Sequence, residues 1–137
     1  MCIKRKKEKQ SFRNLVEYVP YYNVPIRRAK GTILSNAMLE EFCKKRFSTE
    51  ETHSLKITSK HFEEVLSGRK TFEIRKNDRD FKVGDVVKLN EYLGKSDANE
   101  DVYSGRFVRV FITYIYDLED VLPGYIAFDF VFMQRFV

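Results

Sequence analysis

The sequence predicts an α+β protein that is mainly β: a small β-barrel with one or two helices and an N-terminal extension. About five strand-like segments, rich in β-branched and aromatic residues, follow one another within residues 53–137. One helical pattern interrupts them. Apolar residues make up 43% of the 137 residues, and twelve Phe and eight Tyr fill the place of the missing Trp. This apolar fraction is typical of a folded chain.

Charge divides the chain into two parts. Residues 1–53 hold 12 Lys and Arg against 6 Asp and Glu, whereas residues 54–137 hold 13 against 14. The net charge of +5 is therefore no argument that the second part binds nucleic acid. We expect residues 1–50 to form a basic extension, partly disordered or helical, and residues 51–137 to form the folded domain. The extension is a candidate binding segment for a protein partner.

Within the extension, the charged tract over residues 4–9 predicts a solvated tail. Helical spacing over residues 12–19 predicts about two turns, ended by Pro20. A second apolar stripe predicts another helix, with Asn36 as its N-cap. That stripe consists of Leu39, Phe42, Cys43 and Phe47.

Several classes of protein are disfavoured. No apolar run approaches the ~20 residues that span a bilayer, and the basic start is not followed by the apolar segment of a signal peptide. Cys2 and Cys43 have neither the spacing of metal ligands nor that of a disulfide framework. We therefore predict a cytoplasmic protein with reduced thiols, no membrane association, no metal site and no cofactor.

Five strands and one helix are predicted in the second part. The predicted strands are His53–Ile57, Thr71–Lys76, Val86–Tyr92, Arg106–Tyr116 and Tyr125–Phe132. The helix begins after a Thr58-Ser59 cap and ends at Gly68. A polar loop over residues 94–105 and a turn over residues 117–123 separate the last three strands.

Charged residues concentrate after Gly68. Six cations lie within fourteen residues: Arg69, Lys70, Arg75, Lys76, Arg79 and Lys82. Strand alternation places Phe72 and Ile74 on one face and Glu73 and Arg75 on the other. Lys70 precedes the strand and can turn toward the same polar face.

This cluster has three interpretations. As a binding site, Arg75 offers a planar fork to phosphate or a base edge, Lys70 a point charge, and Glu73 an acceptor for amines or ribose hydroxyls. As a catalytic site, Lys70 serves as base or nucleophile and Glu73 carries the proton. The third interpretation is a solvated strand face with an ordinary charge pair.

The segment Gly68-Arg69-Lys70-Thr71-Phe72-Glu73-Ile74-Arg75 fits the pattern GxKxxExR and resembles the ASCH superfamily, relatives of PUA domains. Flanking segments resemble, in the same order, a family of short uncharacterised bacterial and phage ASCH-like proteins over roughly residues 52–132. These segments are His53–Ile57, Val65–Gly68, Lys76–Arg79, Val83–Asp85, Tyr103–Arg106, Ile112–Ile115 and Pro123–Tyr125.

The resemblance implies a PUA-like barrel whose cleft, lined by the motif, binds RNA or a nucleotide or nucleoside. The implied ligand-binding residues are His53, Gly68, Arg69, Lys70, Glu73, Arg75, Asn77 and Arg79. Other ASCH proteins are similar in motif and enzymatic, and one bacterial subgroup deacylates N4-acetylcytidine with a lysine at the position of Lys70 and a threonine at that of Glu73. The alternative function is therefore a small amidohydrolase or ribonuclease with Lys70 and Glu73 as catalytic residues.

Overall fold

The computed structural model describes residues 35–46 and 48–137, so the predicted basic tract, the first short helix and Phe47 lie outside the described residues. The described chain contains helices α1 (Asn36–Arg46) and α2 (Ser59–Leu66). Its strands are β1 (His53–Thr58), β2 (Phe72–Lys76), β3 (Val86–Lys95), β4 (Asp101–Asp117) and β5 (Tyr125–Phe136). The prediction of a mainly β, α+β protein with a small barrel-like sheet is confirmed.

The strands form one sheet in the order β1-β3-β4-β5-β2. β1 runs parallel to β3, and the remaining neighbours are antiparallel. The two strands that α2 connects, β1 and β2, are therefore the opposite edges of the sheet. Arg75 Nη2 on β2 donates to the backbone carbonyl of Lys56 on β1 at 2.5 Å. The sheet is thus a half-barrel whose two edges are linked by an arginine side chain.

Helix α2 fills the concave side of this half-barrel. Phe62 and Val65 are fully buried there, in one apolar cluster with Leu55 and Phe128. Burying each such side chain contributes roughly 1.5–3 kcal/mol, so packing is the main force that holds the helix. Among the described residues, no side-chain capping bond is made by Thr58. Thr58 nevertheless occupies the N-cap position, so the predicted start of the helix is correct and only the side-chain capping bond is missing.

The predicted end of α2 is correct. Gly68 follows the helix with a φ of 75°, in the left-handed region that a residue with a Cβ adopts only at a cost. Its amide donates to the carbonyl of Val65 at 3.0 Å. This turn sends the chain from the helix toward β2.

Helix α1 packs on the convex side of the sheet and creates a second apolar cluster. Phe42 lies edge-on to Phe111 of β4, with ring centroids 5.5 Å apart. The other buried members of this cluster are Leu39, Cys43, Val86 and Met133. The stripe predicted for this helix is therefore buried at its described positions. Its cap is Ser35, whose Oγ accepts from the Met38 amide at 3.2 Å, so the prediction of Asn36 is wrong by one residue.

A buried arginine fixes the connection between α1 and β1. Arg109 of β4 donates from Nη1 to the carbonyl of Ser48 at 2.7 Å and from Nη2 to the carbonyl of Glu50. Its Nη1 also reaches Gln134 Oε1 at 2.9 Å. Because these carbonyls lie between the helix and the first strand, the clamp fixes α1 relative to the sheet.

The loop predicted over residues 94–105 is mostly strand. β3 continues to Lys95 and β4 begins at Asp101, which leaves residues 96–100 as the turn. The rings of Tyr92 and Tyr103 lie 5.6 Å apart across the hairpin, and Lys95 Nζ lies 2.8 Å from Asp101 Oδ1. Cross-strand contacts stabilise this polar hairpin. Its exposed faces lack the alternation of apolar and polar side chains from which a strand is predicted.

Three alternate phenylalanines of β5 lie on the face of the sheet that the larger apolar cluster covers. Phe128 and Phe130 are buried, and Phe132 packs against the same cluster. A register shift between the pairs at Arg109 and Val110 then changes the pairing. Phe136 is consequently exposed and stacks on Phe107, with centroids 5.3 Å apart. A bulge of this kind reverses the faces of all residues beyond it.

Candidate functional site

Strand β2 buries its charged face and exposes its apolar face. Phe72 and Ile74 are 45% and 49% exposed, whereas Glu73 is 3% exposed. Glu73 and Arg75 pair with Phe128 and Ile126 of β5, both of them core residues. The sequence predicts which residues share a face. A solvated strand face would turn Glu73 and Arg75 toward water and bury Phe72 and Ile74. The interpretation of the cluster as a solvated face is therefore wrong.

The buried carboxylate lies between two cations. Glu73 Oε1 accepts from Lys70 Nζ, and Glu73 Oε2 accepts from Arg75 Nε at 2.8 Å. The side chains of Lys70 and Arg75 are 15% and 25% exposed. These two charge-assisted hydrogen bonds offset the desolvation of the carboxylate. We call Lys70, Glu73 and Arg75 the Glu73 cluster.

Backbone bonds on both sides hold this segment in place. The Lys70 amide donates to the carbonyl of Glu64 in α2 at 3.0 Å. The Thr71 carbonyl accepts from the Phe130 amide of β5 at 3.1 Å. Lys70 is thereby fixed beside the start of β2, with its ammonium at the polar face as predicted. Arg69 precedes both anchored residues and is exposed.

Asn77 and Arg79 do not contact the Glu73 cluster. Asn77 is exposed, and its amide donates to the carbonyl of Gly124 at 2.8 Å. Arg79 Nε donates to Asp78 Oδ1 at 3.1 Å, and its guanidinium lies 5.9 Å from the ring centroid of Phe81. The hydrogen bond from Arg79 lowers the pKa of Asp78. A role for Asn77 and Arg79 in binding stays a prediction.

His53 is also bonded elsewhere. Its Nε2 lies 2.7 Å from Asp85 Oδ2, and its ring packs 4.6 Å from that of Phe81. The same Asp85 oxygen accepts from the Lys82 amide at 2.8 Å. These contacts tie the start of β1 to the turn before β3. The structure therefore brings together three of the predicted site residues, Lys70, Glu73 and Arg75.

A second buried carboxylate was not predicted. Glu91 of β3 is 3% exposed and receives a bidentate pair of bonds from Arg106 of β4, Nε to Oε1 and Nη2 to Oε2, both at 2.8 Å. Arg106 Nη2 also donates to Glu63 Oε1 of α2 at 2.7 Å. The bonds from Arg106 hold the pKa of Glu91 at about 2. We call these residues the Arg106 network, and it joins α2 to two strands.

The signal for this network is present in the sequence. Val87, Leu89 and Glu91 occupy alternate positions, so Glu91 continues the face that the two apolar residues bury. A carboxylate at such a position requires a cationic partner. The identity of that partner depends on the pairing of β3 with β4, which alternation alone does not predict.

The low pKa of Glu91 predicts acid-sensitive stability. Because 4.5 is its ordinary pKa and about 2 its folded value, its contribution is complete above pH 4.5 and is lost as pH falls through about 2. We expect this loss to be on the order of 3 kcal/mol. In urea unfolding at several pH values, the free energy of unfolding should fall less steeply with falling pH in Glu91→Gln than in the wild type. Equal slopes for the two proteins would contradict the assignment.

Two further properties concern the part of the chain that the structure describes. None of its helices combines the length and the apolar content needed to cross a membrane. Within the same residues, no group of three or more His, Cys, Asp or Glu side chains is arranged to hold a metal ion.

Comparison with known proteins places these elements in a family. Residues 52–130, more than half of the chain, match DUF3850, a domain of unknown function. The chain is also similar to the protein described as "Uncharacterized 12.9 kDa protein in GpA 3'region" of Escherichia phage P2, with 38% identity over 74 residues. That match covers 54% of this chain and 62% of the phage protein, which is less than two thirds of its length. The chain belongs to the DUF3850 family.

Proposed function

We propose that this protein is an ASCH-like, PUA-like module that binds RNA or a nucleotide or nucleoside at the Glu73 cluster. The observation that carries the proposal is the inverted burial of β2, with Glu73 at 3% exposure between Lys70 and Arg75. Well-packed apolar side chains at such positions are often as stable as a buried ion cluster or more so. Stability is thus a weak reason for these charges, and recognition of a polar ligand is a better one.

The resemblance described above supports the same site. The three charged positions of its GxKxxExR pattern are Lys70, Glu73 and Arg75, the residues that are in contact. Both cations remain partly exposed at the edge of the half-barrel, where a ligand can reach them. The family match carries no function of its own, so the ligand class comes from the resemblance and from the charge of the cluster.

Hydrolysis of acylated cytidine or RNA is the competing function. A lysine that acts as base or nucleophile needs a free lone pair on its amine. Lys70 Nζ is hydrogen-bonded to Glu73 Oε1 beside the guanidinium of Arg75, and such a set of charged donors suits the binding of a polar ligand. The two functions differ in one measurable respect, since a hydrolase releases product and a binding module does not.

Direct binding measurements test the proposal. We expect Lys70→Ala and Arg75→Ala each to weaken the binding of RNA, nucleotides or nucleosides about tenfold or more, because a hydrogen bond to a charged group contributes ~1.5–3 kcal/mol. Each variant leaves Glu73 one cationic partner, so the fold should persist. Lys76→Ala is the matched control, since Lys76 is an exposed cation on the other face of β2, and it should change affinity less than about twofold.

Two results would contradict the proposed binding function, each in a different way. A wild-type protein that binds no RNA, nucleotide or nucleoside at near-physiological salt would refute the proposal. Product formation from acylated cytidine or RNA, lost in Lys70→Ala with folding retained, would instead identify a hydrolase. Circular dichroism and thermal unfolding of each variant serve as the folding controls.

A further inference from the structure

Both carboxylate oxygens of the Glu73 cluster already accept a bond, whereas both of its cations keep unused donors. Each carboxylate oxygen of Glu73 accepts a bond from a cation of the cluster. Lys70 gives one of its N–H groups to Glu73, and Arg75 gives one to Glu73 and one to the Lys56 carbonyl. An ammonium and a guanidinium carry more donors than these bonds use. The other N–H groups of Lys70 and Arg75 make no hydrogen bond to any of the described residues.

Exposure leads to the same conclusion. Glu73 lies beneath the two cations, and the partly exposed atoms of the cluster belong to Lys70 and Arg75. A ligand that approaches therefore meets donors and positive charge before it meets the carboxylate. The three residues together carry a net positive charge, so the cluster attracts an anion.

Carboxylates on the flanking elements have partners of their own. Asp117 of β4 lies opposite Ile126, which is on β5, the strand next to Arg75. The Asp117 carboxylate accepts from the Glu119 amide at 2.9 Å. Glu64, whose carbonyl holds Lys70, has its carboxylate 4.0 Å from His61 Nδ1. Arg69, beside Lys70, is a further exposed cation. The surroundings therefore leave the positive charge of the cluster available to a ligand.

We infer that the group bound by the Glu73 cluster is a phosphate, which Lys70 contacts as a point charge and Arg75 as a planar fork. Glu73 acts as a positioning residue that holds both cations, and it does not read the base. This inference rests on the proposed function and narrows it. The ligand is then a nucleotide or the phosphate backbone of RNA, and neutral nucleosides are poor ligands.

Calorimetry on the full chain tests this inference with common ribonucleosides, their 5′-monophosphates and a short RNA. We expect each monophosphate to bind about tenfold or more tightly than its nucleoside, and added salt to weaken the binding. The RNA distinguishes the two sources of phosphate: tighter binding of RNA than of the monophosphates identifies a backbone site, and the reverse identifies a free nucleotide. Equal affinity for nucleoside and monophosphate would overturn the inference and leave the proposed function intact.

The variant Glu73→Gln separates positioning from direct recognition by the ligand whose binding it weakens. Its amide keeps one acceptor oxygen but sets an N–H donor against the other cation, so the preference for the monophosphate over its nucleoside should fall by more than about twofold. Folded Glu73→Gln protein in which nucleoside and monophosphate weaken to the same extent would show that the carboxylate contacts the base or ribose, against the inference.

Two further measurements complete the test. Asp80→Asn removes an exposed carboxylate outside the cluster and controls for overall charge; an equal fall in the preference for the monophosphate in this variant would also count against the inference. If Glu73→Gln does not fold, the comparison of nucleoside with monophosphate on the wild type decides. A wild-type protein that binds none of these ligands would refute the proposed function itself.

Discussion

Replacement of Arg106 by Ala is expected to lower the free energy of unfolding by about 3–5 kcal/mol. Arg106 supplies both bonds to the buried Glu91 carboxylate and a third to Glu63. Its guanidinium also lies 4.8 Å from the ring centroid of buried Phe62. Without it, Glu91 keeps a charge with no cation beside it, and Glu63 of α2 loses its bond to β4. Urea unfolding near pH 7 measures the effect.

Two companion variants isolate the buried pair. Glu63→Gln removes the mostly exposed partner alone and should cost less than about 1 kcal/mol. Joint replacement of Arg106 and Glu91 by Leu should recover most of the lost stability, because an apolar pair tolerates burial without the desolvation of two charges. If the free energy of unfolding of Arg106→Ala lies within about 1 kcal/mol of the wild-type value, Glu91 is not held by this network.

Phe42→Ala is expected to cost about 3–4 kcal/mol. Phe42 is buried in the convex-side cluster and meets Phe111 edge-on. A cavity on that side would remove the largest apolar contact of α1. The helix lies outside the residues that match the family, so a loss of this size would show that residues 36–46 belong to the same folding unit as residues 52–130.

Lys44→Ala provides the matched control for Phe42→Ala, since Lys44 is an exposed residue of the same helix. It should change the free energy of unfolding by less than about 0.5 kcal/mol. Amide hydrogen exchange should also show weaker protection of β4 and β5 in Phe42→Ala. A loss below about 1 kcal/mol, with unchanged exchange in the sheet, would mean that α1 is not part of the cooperative domain.

Local patterns predicted most of the elements because their causes are local. Alternation in β1 and β2, and the glycine that ends α2, depend on neighbours in sequence. The extensions of β3 and β4 into a polar hairpin, and the bulge that exposes Phe136, depend on cross-strand partners. Such partners are distant in sequence, and no single segment specifies them.

The same division applies to the candidate site. The spacing of Lys70, Glu73 and Arg75 by itself determined that these three charges lie near one another, because alternation in a strand and a turn just before it are local geometry. The tertiary structure decided that this charged face is the buried one, because it is the face that α2 and the larger apolar cluster cover. It also decided the partners of the charges. Arg75 meets the Lys56 carbonyl across the open edge of the sheet, and Glu91 meets Arg106. Burial and long-range pairing, which turn a charged strand into a candidate site, arise only when the sheet curves around its helix.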